Sequence, residues 1–170
     1  MTIRGVISRP AEVVRTRAIG ELAVLVRFGE LVVALAADRV ARIALADEAE
    51  AVDGTTPCVM IDGAVLPAWE LSALIGLDDP PAAWLVLTTS DEPGAPRIAL
   101  GTGPCVAVAA HDALSALPAG VVNAPSAAVL GVFLTDPALR ERGLGHLGVR
   151  LDPLRLIGAS ALAAARRGER

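Results

Sequence analysis

The chain has 170 residues, room for one domain or for two small subdomains that share a core. Its 54% hydrophobic content excludes a disordered polypeptide, and a net charge of −4 with two Trp, two Phe and no Tyr excludes a basic, base-stacking nucleic-acid surface. Two cysteines, Cys58 and Cys105, are too few for a disulfide framework and are expected as reduced, buried thiols.

In chain order, residues 1–21 scatter Arg and Glu among apolar residues. They lack the unbroken apolar core of a secretory leader and are expected as a tail or one extra strand near residues 3–7. Residues 22–28 and 31–36 are β-rich apolar runs around Gly29-Glu30, which reads as a hairpin. A third segment carries Val40, Ile43 and Leu45 after a bend at Asp38-Arg39. Residues 47–57 are acidic and turn-rich and are expected as an exposed loop.

Residues 58–61 and 64–66 flank Asp62-Gly63, a strong hairpin signal. Pro67 is expected to end the second strand, because proline donates no ladder hydrogen bond. A short helix is expected from Trp69 to Gly76, with the glycine as a left-handed cap. Asp78-Asp79-Pro80-Pro81 marks the clearest internal boundary.

Beyond it, residues 84–89, 97–100, 106–110, 129–134 and 146–151 read as strands. Residues 101–104 read as a turn and 136–142 as a loop with a helical turn. Residues 113–135 form the longest uncharged run. Pro118, Pro125, Gly120 and Gly131 interrupt it and no basic flank starts it, so it does not read as a membrane helix. The chain closes with a helix over residues 152–167. Asp152 is its N-cap, Pro153 its first residue, and Leu154, Ile157, Ala161, Leu162 and Ala165 its apolar stripe. About nine short strands in two sets favour small barrels over an open βαβ sheet, and without helical crossovers inside a set a parallel sheet is not expected.

The residues that carry chemistry are sparse. Gly143-Leu-Gly-His-Leu-Gly148 matches a dinucleotide-binding spacing, but a charged segment precedes it and a strand-like run follows, the reverse of what a pyrophosphate site needs. It reads as a turn. His111 and His146 are the only imidazoles, no serine sits in a nucleophile elbow, and two His with two Cys far apart make a poor metal set. No catalytic, metal or cofactor site is assigned. The alternative enzyme reading would use His111 or His146 as acid–base with Asp112 or Asp136.

The order of these elements resembles the CheW-like domain, the adaptor fold of bacterial chemotaxis. Residues 25–35, Leu-Val-Arg-Phe-Gly-Glu-Leu-Val-Val-Ala-Leu, resemble the family's opening hairpin. Val40-Ala-Arg-Ile43 stands where the family has Val-x-Glu-Ile. Residues 61–71, Ile-Asp-Gly-Ala-Val-Leu-Pro-Ala-Trp-Glu-Leu, are similar to its Leu-Arg-Gly-x-Val-Val-Pro-Val-Val-Asp-Leu. Gly131-Val132 resembles the family's Gly-Val/Ile, and residues 149–157 resemble its closing strand and helix start. Two charges are reversed: Arg42 stands for the family's Glu and Asp62 for its Arg. Thr102-Gly103 replaces a Val-Asp. Asp62 is therefore either a routine turn acid or half of an inverted pair with Arg42.

The resemblance implies a mainly β fold. It consists of two small five-stranded SH3-like barrel subdomains that share a core, with a short linking helix and a C-terminal helix. The first barrel is expected over residues 22–77 and the second over 82–151. It implies no enzyme and no cofactor. It implies a cytoplasmic adaptor between a chemoreceptor's cytoplasmic tip and the regulatory domain of a CheA-type histidine kinase, or an interaction module without receptor coupling. The protein-binding positions carried over are Val40, Arg42, Ile43, Asp62, Gly63, Val65 and Pro67. For Val40, Ile43 and Val65 ordinary barrel core is the competing expectation.

Overall fold

The computed structural model describes residues 22–110, 115–116 and 128–158. The expected N-terminal tail or strand, His111, Asp112, most of the uncharged run and the expected helix beyond residue 158 lie outside them. The described residues form twelve strands in two six-stranded sheets with a few short helices.

The strands run β1 (Leu22–Phe28), β2 (Leu31–Ala36), β3 (Val40–Leu45), β4 (Ala49–Val52), β5 (Cys58–Ile61) and β6 (Ala64–Glu70). A one-turn helix, α1 (Leu71–Leu74), leads to β7 (Ala83–Thr88), β8 (Arg97–Thr102), β9 (Cys105–Ala110) and β10 (Ser115–Ala116). Then come β11 (Val129–Leu134), α2 (Pro137–Glu141) and β12 (Leu147–Leu151). Residues 153–158 are helical, with the Asp152 carboxylate accepting from the Leu154 N–H at 3.0 Å and the Arg155 N–H at 3.3 Å. This is the expected cap.

The first sheet has the order β3-β7-β8-β6-β5-β4 and the second β10-β11-β12-β2-β1-β9. The division between sheets therefore does not fall at residues 77–82. β1 and β2 pair with β9 and β12, while β7 and β8 pair with β3 and β6. Two of the pairings, β6 with β8 and β12 with β2, are parallel, within sheets that are otherwise paired antiparallel. Intervening strands, rather than a single helix, supply the long crossovers that parallel pairing requires.

Two local expectations are also corrected. Residues 49–52 are strand β4, not loop. The Glu48 carboxylate accepts the Leu45 N–H at 2.7 Å and holds a 3-10 turn over Ala46–Glu48, which turns the chain into β4. The acidic residues serve that turn and the outer face of the new strand. Pro67 does not end β6. Ala64–Pro67 pair antiparallel with β5, and Ala68–Glu70 pair parallel with β8. The donor that proline lacks falls where the strand changes partners. Likewise β8 runs through Gly101 and Thr102, which were expected in a turn.

The shared core draws Val24, Val26 and Leu35 from one sheet and Leu71, Leu85 and Leu100 from the neighbourhood of the other. Leu25 and Val32 point the opposite way, into a second cluster with Phe133 and Leu139. A third cluster, with Val59, Ile61, Leu66, Trp84 and Val86, fills the first sheet's concave side. β1 is buried on both faces, which is why it reads as a continuous apolar run instead of an alternating one.

Candidate protein-interaction face

The β5–β6 hairpin turns on Asp62 (φ 53°) and Gly63 (φ 75°). Positive φ at both central residues matches the twist of the flanking strands. The register then fixes which side chains share a face. Glu50 lies opposite Met60, and Met60 opposite Val65. Two residues along, Val52, Cys58 and Pro67 form a second such row. The other parity, Val59, Ile61 and Leu66, is buried in the sheet's own core. The Glu50–Met60–Val65 row is thus on the outer face, with Glu50 and Val65 exposed and Met60 half-buried.

On β3, Ala44 points into the same core while Ile43 and Leu45 face out. Ile43 is 41% exposed, Leu45 60% and Val65 55%, so these three are not barrel core. Val40 is half-buried against the shared core, and Pro67 is buried. The expected positions therefore divide: Ile43, Asp62, Gly63 and Val65 are presented outward, whereas Val40 and Pro67 support.

Arg42 forms an ion pair with Asp62 and a second, at 3.5 Å, with Glu48. The two reversed charges do meet. All three side chains are well exposed, so the Arg42–Asp62 pair is worth about 0–1 kcal/mol, and its weight is in surface charge. Sequence reasoning missed Glu50 because residues 47–57 were read as loop, and it did not single out Met60 although its strand was expected. It also did not single out Leu45. A period-two reading of Glu50 and Val52 was the available signal.

Several sequence features prove to be packing. Gly145 lies against the Glu30 backbone and Gly148 beneath the Phe133 ring, so the glycine-rich run is closed contact and not a phosphate cradle. Thr102 is buried and its hydroxyl donates to the Gly103 carbonyl at 3.0 Å. Asp136 caps α2 by accepting the Leu139 N–H at 2.7 Å. His146 is exposed and its Nδ1 lies 3.2 Å from the Arg140 guanidinium. Cys58 and Cys105 are free thiols, half-buried rather than fully buried as expected. Burial raises the Cys105 thiol pKa, and a hydrogen bond with Thr102 partly opposes that. Among the described residues no His, Cys, Asp or Glu group could hold a metal, and no helix is long and apolar enough to cross a membrane.

A groove of about 180 Å³ opens where the sheets meet, lined by Leu35 of β2, Leu87 of β7, Leu130 of β11, and Leu151 and Leu154 beyond it. Asp38, Arg39 and Asp152 add polar groups to its wall.

No family model matches the chain, and no curated protein sequence matches it significantly. Its architecture does have solved counterparts. The crystal structure of the scaffolding protein TtCheW from Thermoanaerobacter tengcongensis superposes with a TM-score of 0.59. The fold is CheW-like. The match covers 86% of this chain and 94% of that one at 13% identity, so the resemblance lies in the path of the backbone. A CheW-like fold accounts for the paired sheets, which fit two SH3-like subdomains.

Proposed function

We propose that the protein is a non-catalytic adaptor of chemotaxis-type signalling. In this reading it couples a chemoreceptor's cytoplasmic tip to the regulatory domain of a CheA-type histidine kinase, in the cytoplasm. The observation that carries the reading is an outward apolar set, Ile43, Leu45 and Val65, on a fold shared with a scaffolding protein. Side chains of that size are normally buried, and a group of them on a rigid sheet fits contact with another protein. The kinase would meet this first-sheet face, with Arg42, Asp62 and Gly63 beside it and Val40 and Pro67 supporting it. The receptor tip would meet the groove between the sheets.

The test is size-exclusion chromatography of the purified protein with a CheA-type regulatory domain and, separately, with a receptor-tip fragment, both from the same source. Co-elution with each is expected, with loss of the kinase complex on Val65→Asp. Failure of both partners to co-elute would sink the adaptor role. A second reading, an interaction module without receptor coupling, draws support from the inverted Arg42–Asp62 polarity. It predicts that neither the kinase domain nor the receptor tip co-elutes, because the inverted pair lies on the face proposed for the kinase.

A further inference from the structure

The charge of this chain is unevenly placed. Residues 40–66 hold five carboxylates, Asp47, Glu48, Glu50, Asp53 and Asp62, against one guanidinium, Arg42, a net −4. The whole chain also nets −4, so everything outside this stretch sums to neutral. All five acids are exposed. Asp62 and Glu48 share Arg42, and Glu48 also caps the Leu45 N–H. Among the described residues neither Glu50 nor Asp53 shares such a cation, and Glu50 flanks the apolar face directly: it lies across the strands from Met60, which lies opposite Val65.

We infer that the outer face of β4, β5 and β6 docks a protein surface with an apolar centre and an arginine- or lysine-rich rim. Met60 and Val65 would meet the centre and Glu50 the rim, with the other exposed acids of residues 47–62 supplying the surrounding negative field. Two physical arguments converge on this partner. An apolar centre with a polar surround is the normal anatomy of a protein interface. A concentrated negative field beside it favours a basic partner in encounter and rejects an acidic one. The inference deepens the adaptor reading by stating the chemistry its first-sheet partner must carry, and it rests on that reading only for the partner being a protein.

The experiment uses two synthetic peptides with one apolar sequence, one flanked by arginines and the other by glutamates. Each is titrated into the full-length, isotope-labelled protein, with amide shifts recorded at low and physiological salt. The arginine peptide is expected to bind, to shift amides of residues 58–67, and to weaken as salt rises. Glu50→Arg with Asp53→Arg, both at exposed positions, should weaken it about tenfold while circular dichroism stays unchanged. Val65→Ser should weaken both peptides. Equal binding of the two peptides, binding of neither, or shifts mapping elsewhere overturns the proposal. A CheA-type regulatory domain that fails to bind while the arginine peptide binds here would end the adaptor reading and leave the chemistry of the face standing.

Discussion

Arg42 on β3 reaches the Asp62 carboxylate in the β5–β6 turn, although three strands separate β3 from β5 in the order of the sheet. The pair therefore spans a sheet that has curled back on itself, and it does so on the surface. Glu48, from the turn that joins β3 to β4, completes the contact.

A double-mutant cycle measures this link. Arg42→Glu and Asp62→Arg should each cost about 0.2–1 kcal/mol in urea unfolding, and the double change should recover part of the loss. Recovery stays incomplete because a glutamate at 42 would face Glu48. Strictly additive losses would mean that the two side chains do not couple.

Gly148 should tolerate no side chain. The Phe133 ring occupies the space a Cβ would take, and Phe133 is wholly buried in the second sheet's cluster. Gly148→Ala is expected to destabilise by about 1–3 kcal/mol, a lowering of the melting temperature by several degrees. An unchanged melting curve would show that the ring has room to move.

Leu71 and Val65 separate folding from contact. Leu71 opens α1, is 0% exposed and packs in the shared core, so Leu71→Ala should cost about 2–5 kcal/mol. Val65→Ala removes side-chain atoms that face solvent and should stay within about 0.5 kcal/mol of the parent. Thermal unfolding of both variants checks the contrast. A large loss at Val65 would place it in the core after all.

Cys105 makes stability depend on alkaline pH. Burial raises its thiol pKa above the ordinary 9.0, against a smaller opposing effect of the Thr102 hydrogen bond. The unfolded chain then ionises first as pH rises, so the contribution is complete below the unfolded value and is lost as pH climbs through the folded one. Unfolding midpoints measured upward from pH 9 should fall more steeply for the parent than for Cys105→Ala. Identical slopes would remove Cys105 from the account.

Much of the local structure was legible in particular residues. Gly29-Glu30 and Asp62-Gly63 marked two hairpins, and Asp152-Pro153 marked a helix start. Each is a short-range backbone preference that a few adjacent residues decide. Misreadings arose where local chemistry and long-range pairing disagree. Pro67 is a strand breaker by itself, yet it sits within β6 where the strand leaves β5 for β8. The acids of residues 47–53 look like loop, yet Glu50 lies in a paired strand.

By itself the sequence determined a chain rich in short apolar strands, where those strands turn, and two charges of inverted sign at Arg42 and Asp62. Only the tertiary structure decided that β1 and β2 belong with the C-terminal strands, that Arg42 and Asp62 touch, and that Val65 faces out while Leu66 faces in. Turns follow from the conformational preferences of neighbouring residues. Sheet membership and exposure follow from which distant strands bury one another's apolar faces, and no local pattern encodes that choice.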